Sequence, residues 1–425
     1  MTSALEFMLA ARRSEMHGLR SLELTCELVG WISRLVHALQ RERGFSNIYL
    51  GSHEERYRAG LDELTRDSRL MQESVVDCFA RMDLQTSCGA DKARLFNRIA
   101  YVLHCLEGFP ELHRRIRSQQ IGPVDATRAF SRPIGGLLNV VFEAADTAVD
   151  PHITRHLVAL FNFMQGKELA GQERAAGVSG FTHGYFDAAA RAQLGFLEDG
   201  QKRCFEIFNE YAEADLRKGW QQLCSEPLLT ELGKLRQIAL RSSDESPIAA
   251  SLAELWFELA SQRIDVMKQL EDQMTSHLHT QCQRNITQAQ ADLDNHRALL
   301  RRLSSLDDDA SLSATRLFNV QVADLDTLAT QPMGEQMSRS VIDLLHAQNQ
   351  RLQALGVELD EARRSLNERK LIDRAKGLLM KQHGLKEEEA YRMLQNAAME
   401  RSQRLADVAQ HLLNYADLLQ GKAKG

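Results

Sequence analysis

Long apolar runs, closely spaced cysteine pairs and strand-like alternation are all missing from this 425-residue sequence. No run approaches the roughly 18 residues that a membrane-spanning helix needs, and the N-terminus lacks a basic stretch followed by an apolar core. Neither a membrane anchor nor a secretory leader is therefore expected. The seven cysteines are odd in number and none has CxxC spacing. That excludes a disulfide framework or a zinc finger and points to a reducing, cytoplasmic setting. No P-loop, dinucleotide fingerprint, HExxH or GxSxG occurs, and His277 and His279 are two apart, on different sides of a helix. No catalytic residue, metal or cofactor is expected, and the chain does not read as an enzyme. Proline is scarce, at seven residues, and several prolines sit beside turn residues, as in Gly122-Pro123 and Asp150-Pro151.

What remains is helical periodicity. Stripes such as Leu252, Leu255, Leu259, Ile264 and Met267 recur between the breaks, so the fold class is all-α, with long helices packed as antiparallel bundles. Loop candidates lie at Ser304–Asp309 and Pro332–Gly334. Beyond the second, Leu345, Leu352, Leu359 and Leu366 recur every seven residues, with Gln348, Leu355 and Ala362 between them. Three heptads predict a coiled coil over 336–368, or a single long helix packed on its own bundle. From Arg369 onward there are eleven Lys and Arg against seven Asp and Glu, on a chain of net charge −6. A mildly basic tail on an acidic body suits a small nucleic-acid module joined to something else.

The tail's pattern is the clearest in the chain. Leu371, Ala375, Leu378, Leu379 and Met380 define one helix, which Gly384 ends. Glu387, Glu388 and Glu389 open the next, where acids suit the positive end of the dipole, and Ala390, Leu394, Ala397 and Ala398 form its core side. After a break near Ser402, Leu405, Val408, Ala409 and Leu412 form a third stripe. The result is a three-helix bundle over 369–425. AKGLLM, the Glu-rich helix start and Leu405-Ala406-Asp407-Val408-Ala409 together resemble an ANTAR domain, the RNA-binding output module of bacterial antiterminators. The resemblance implies a homodimer joined through the coiled coil, binding paired hairpins in a leader mRNA and preventing termination. RNA binding needs cations for phosphate. The candidates are Lys370, Arg374, Lys376, Lys381, Arg401 and Arg404, of which Lys370, Arg374 and Lys381 can share one helix face. Tyr391 either stacks a base or closes the core, and the core is favoured.

The body, residues 1–300, lacks the alternating strands of an α/β receiver. Three stretches stand out: RERGFSNIYL (41–50), KELAGQERA (167–175) followed by GFTHGYF (180–186), and ELGKLRQ (231–237). Together they resemble a NIT domain, an all-helical nitrate- and nitrite-sensing domain, here read as two four-helix bundles, with 301–335 as a linker. The first two stretches look alike: Glu42-Arg43-Gly44-Phe45 against Glu173-Arg174-Ala175-Ala176. The ligand implied is a planar monoanion, which a planar, permanently charged guanidinium matches with parallel N–H donors. The resemblance places the anion site on Arg43 and Arg236, with Arg174 secondary and Ser46 as a hydroxyl donor. Ion pairs with Glu42, Glu168, Glu173 or Glu231 are the structural alternative for the same arginines. Gly44 reads as a break in its helix, letting a neighbour approach, with Arg43 pointing inward and Arg41 outward. His183 reads as a helix-end residue. Ligand binding is expected to relieve restraint of the RNA-binding module by the body. The competing expectation is a small-anion sensor that acts on a protein partner through its coiled coil.

Overall fold

The computed structural model describes residues 4–52, 55–82, 90–148, 150–306, 333–401 and 403–422. Helices α1 (Ala4–Ser52), α2 (Arg58–Ala80), α3 (Ala90–Glu107), α4 (Phe109–Arg117) and α5 (Pro123–Thr147) are followed by α6 (Pro151–His183) and α7 (Ala188–Tyr211). Then come α8 (Ala214–Cys224), α9 (Pro227–Arg241), α10 (Leu252–Leu306), α11 (Met333–His383), α12 (Glu387–Glu400) and α13 (Leu405–Lys422). No strand occurs among the described residues, and the fold is all-α, as the periodicity predicts. Residues 307–332 of the expected linker lie outside the described residues, as does Ser402. So do the side chains of Leu345, Gln348, Leu352, Leu355 and Ala362.

Scarce proline starts helices rather than breaking them. Pro110, Pro123, Pro151 and Pro227 each occupy the first turn of a helix, where a missing N–H costs nothing, and among the described residues only Pro133 lies inside one. Asp150 caps α6 by accepting from the Ile153 N–H at 2.9 Å. Gly184 and Gly384 end α6 and α11 with positive φ, 88° and 65°. Gly44, by contrast, does not interrupt α1, which runs through it to Ser52. Packing on α6 and α10 offsets a glycine cost of about 1 kcal/mol.

The helices fall into two groupings that share α1. On one side α2 and α5 pack against α1, with α3 on α5; on the other α10 joins α1 to α6, and α7 covers α6. One apolar core runs through both, from Leu35 and Val36 through Phe130, Leu137 and Val141 to Phe161, Phe163 and Met267. The core face of α10 differs from the leucine stripe. Leu255 is exposed, while Trp256, Ala260, Ile264 and Met267 are buried, because Trp256 lies in a slot made by Gly177. The C-terminal bundle forms around Ala375, Leu379, Ala390, Leu394, Ala398, Val408 and Ala409. Lys386 N–H and the Glu389 carboxylate close the start of α12 at 2.9 Å.

One buried ion network braces the shared helices. Glu271 of α10 meets Lys167 of α6 at 2.6 Å, both fully buried, and also takes Lys268 at 3.2 Å and the Ser33 hydroxyl of α1 at 2.5 Å. Burial pushes the Glu271 carboxyl up, but Lys167, Lys268 and Ser33 overcome it and hold it down at about 2. A depressed carboxylate contributes stability above its unfolded value of about 4.3, and loses it as pH falls through the folded value. Thermal melts should therefore hold from pH 7 to 5 and fall steeply between pH 4 and 2. Glu271→Gln should cost about 3–5 kcal/mol at pH 7, because it leaves Lys167 buried without a counter-charge. A neutral-pH denaturation midpoint equal to wild type would contradict this.

Candidate functional site

The candidate site lies where α1, α6 and α10 meet. Arg43 is 1 % exposed and grips Glu168 of α6 with both terminal nitrogens, at 2.6 and 3.2 Å. Its Nη1 also donates to Ser131 Oγ of α5 at 2.9 Å. Glu168 takes further hydrogen bonds from Gln40 at 2.8 Å and Gln172 at 2.9 Å, so both its oxygens are fully engaged. The Arg43 Nε and the Ser46 Oγ, both buried, have no hydrogen-bond partner.

Arg174 sits beside Arg43 in a different situation. It is 4 % exposed, yet its partners are all neutral: Ser261 Oγ at 2.9 Å, the Gln40 carbonyl at 2.8 Å and the Phe257 ring at 5.1 Å. Burial, with Arg43 next to it, lowers Arg174 to about 10. Asp265 and Arg41, both exposed at the rim, act on it in opposite directions. The interior therefore holds two guanidiniums and one carboxylate, one negative charge short.

Two glycines make this pairing possible. A Cβ on Gly44 would stand 2.5 Å from the Arg174 Nη2, and one on Gly171 would stand 2.6 Å from the Arg43 Nη2. Each arginine lies against the other helix at its glycine. Gly44→Ala should leave stability unchanged or slightly raised, since alanine favours the helix by about 1 kcal/mol and only the flexible end of Arg174 must move. It should nevertheless weaken anion binding, which titration calorimetry reads; undiminished binding would show that Arg174 is not needed where it stands.

Arg236, the expected partner of Arg43, is engaged elsewhere. It grips Glu173, at 2.5 and 2.8 Å, in a cluster with Arg263 at 3.5 Å and Gln201 at 2.9 Å from the same carboxylate. Burial pushes the Glu173 carboxyl up, but Arg236 and Arg263 prevail and lower it. Glu198, at the rim, acts on both of these arginines, so this cluster has two acids for two cations. The structure thus joins Arg43 to Arg174 and puts Arg236 one contact beyond, through Glu173, Arg174's neighbour in sequence. Sequence reasoning missed Arg263 and Ser261; an arginine one residue before Ile264 in the α10 stripe was the available signal. Glu42, next to Arg43, turns to the other side of α1, where Thr65 at 2.7 Å, Ser68 at 2.6 Å and His113 at 2.9 Å hold it. Arg41 is exposed, and His183 ends α6 against Tyr185, as expected.

The C-terminal module is docked on this body by α11. Leu366 is fully buried within the body's core. Around it, Lys370 reaches Asp146 at 2.5 Å, Arg369 lies over Phe161 at 4.6 Å, and Arg363 donates to the Ala148 carbonyl at 3.0 Å. Tyr391 packs against Arg203 and Phe196 of α7 at 4.5 and 6.1 Å, so it faces the body rather than closing its own module's core. Of the expected RNA-contacting cations, Lys370 is held by the body, Arg404 by Glu368 at 2.8 Å, and Lys376 by Asp373 and Glu387, each at 2.8 Å. Arg374, Lys381 and Arg401 are exposed. Lys370 therefore does not share an open face with Arg374 and Lys381, because its ammonium turns toward the body.

A helical body with a charge-deficient arginine pair at its centre, docked onto a separate small helical module, defines a regulator that carries sensor and output in one chain. The chain belongs to the nitrate and nitrite sensing (NIT) family, which it matches over residues 34–279, and it carries an ANTAR domain over residues 360–413. It is similar to the nitrate regulatory protein of Klebsiella oxytoca, 33% identical over 95% of this chain and 93% of the relative. It is also similar to the solved structure of the NasR transcription antiterminator, with a TM-score of 0.58 and 31% identity, covering 97% of this chain and 99% of the other. The protein is a regulator rather than an enzyme. No helix among the described residues is long and apolar enough to cross a membrane.

Proposed function

We propose that this protein is a nitrate- and nitrite-responsive transcription antiterminator whose anion site lies between Arg43 and Arg174. The observation that carries the reading is the buried pair of guanidiniums with a single carboxylate. A planar monoanion there neutralises Arg174 and accepts from the Arg43 Nε and the Ser46 hydroxyl, two donors that have no other partner. Arg236 acts through Glu173, which precedes Arg174 on α6.

The same helices carry the docking surface. Asp146 of α5 and Phe161 of α6 hold the segment 363–370 of α11, and α5 and α6 meet the site through Ser131 and Glu168. Ion binding that shifts α6 about the retained Arg43–Glu168 pair therefore disfavours the docked arrangement, which is the differential energy a ligand-driven switch requires. Release frees Lys370 to join Arg374 and Lys381 on one helix face, together with Arg401. It also frees Leu366 to continue the heptad of Leu345, Leu352 and Leu359 in a homodimeric coiled coil. The freed dimer holds paired hairpins of a leader mRNA and keeps the terminator from forming.

The test is leader-RNA affinity with and without nitrate. An increase of about 5- to 150-fold on adding nitrate, the usual range for coupled sites, is expected. Affinity equal to that for unrelated RNA in both conditions would overturn the reading in favour of a sensor acting on a protein partner through α11.

A further inference from the structure

We infer that Glu168 sets the charge selectivity of the anion site, restricting it to monovalent anions and rejecting divalent ones such as sulfate. The inference rests on the proposed site between Arg43 and Arg174 and goes on to its specificity.

The groups that face the site come from each helix packed around it. α1 supplies Arg43, Gln40 and Ser46, α6 supplies Arg174, Glu168 and Gln172, α5 supplies Ser131, and α10 supplies Ser261 and Phe257. Three of these are charged, with a sum of +1. The buried charges beyond them fall into neutral sets, Lys167 and Lys268 with Glu271 and Asp272, and Arg236 and Arg263 with Glu173 and Glu198, while Glu42 faces the other side of α1 and the rim charges Asp265 and Arg41 act on Arg174 in opposite directions. The charge of the site is therefore well defined.

Glu168 stays where it is when an anion arrives. Four N–H groups hold its two oxygens: both forks of Arg43, Gln40 and Gln172. Displacing it would leave a carboxylate only 2 % exposed without its cation. With Glu168 in place, a monoanion brings the interior to zero, whereas a dianion leaves an excess negative charge buried among apolar helices. Buried uncompensated charge is strongly unfavourable, and discrimination built on it works by penalising the wrong ligand. A guanidinium pair without Glu168 would carry +2, and would suit sulfate better than nitrate. Glu168 thus contributes nothing directly to holding the ion, yet decides which ions the site accepts.

The experiment is titration calorimetry of the full chain with nitrate and with sulfate. Wild type should bind nitrate and show no measurable sulfate binding. E168Q keeps the shape and removes the charge; its sulfate-to-nitrate affinity ratio should rise by at least about tenfold. The double variant R43Q/E168Q removes the pair as a unit and leaves Arg174 alone at +1. It should bind more weakly but prefer nitrate again. A purely structural role for Glu168 would lower both affinities together and leave the ratio where it was. An unchanged ratio in E168Q, with nitrate binding intact in wild type, overturns the inference and leaves the proposed site standing. Should E168Q fail to fold by circular dichroism, sulfate preference in the double variant overturns it equally. Absence of nitrate binding in wild type removes the proposed site itself.

Discussion

Arg174→Ala is expected to abolish nitrate binding, lowering affinity at least about 100-fold, while leaving stability within about 1 kcal/mol of wild type. The two effects separate because Arg174 is a buried cation with neutral partners. Removing it takes away an uncompensated charge, which offsets the packing lost. Arg43→Ala provides the contrast. It too should weaken nitrate binding, but it strands Glu168, which is 2 % exposed, and should cost about 3–5 kcal/mol. Chemical denaturation of both variants, with calorimetry against nitrate, checks the pair of results. Equal destabilisation by the two substitutions would mean that Arg174 is as well compensated as Arg43, and the charge argument would fail.

Leu366→Ala should make RNA binding independent of nitrate. Leu366 is fully buried in the body's core, and truncating such a leucine costs about 2–5 kcal/mol. Most of that cost falls on the docked arrangement, because in a released coiled coil Leu366 is one of four seam leucines, with Leu345, Leu352 and Leu359. A shift of that size equals or exceeds a typical coupling of about 1–3 kcal/mol, so the docked population falls sharply without ligand. Asp146→Asn is the companion on the body side. It removes the ion pair to Lys370 and leaves α11 unaltered. RNA affinity in nitrate-free buffer, compared with that of nitrate-saturated wild type, reads both. Low affinity that still climbs with nitrate in both variants would show that docking does not restrain the module.

The three-helix tail was legible in detail because each of its signals is local. Gly384 ends α11 with a positive φ, glutamates open α12, and the alanines recur where helices cross. Arg43 was legible as inward-facing for the same reason, since a helix places residues two apart on different sides. Its partners were legible only among several candidates, Glu168 as one of four acids and Arg174 as a secondary arginine. Arg43, Glu168, Arg174 and Ser131 are brought together from three helices, and several arginines of similar local context competed for the place. Lys370 was placed on one helix face with Arg374 and Lys381 from its spacing, which an isolated helix would allow. In the docked arrangement Asp146 of the body pairs it instead.

Periodicity, the positions of glycine and proline, and the composition of the tail by themselves determined an all-helical chain with a small C-terminal bundle. The stretches 41–50 and 167–175 were singled out by their resemblance to the NIT family. Tertiary structure alone decided that Gly44 lies inside an unbroken helix as the seat of Arg174. It alone decided that Arg236 serves Glu173, and that Leu366 belongs to the body's core in this arrangement. Those outcomes depend on which helices touch, and on whether a buried charge finds its counter-charge across them. No spacing within a single helix encodes that.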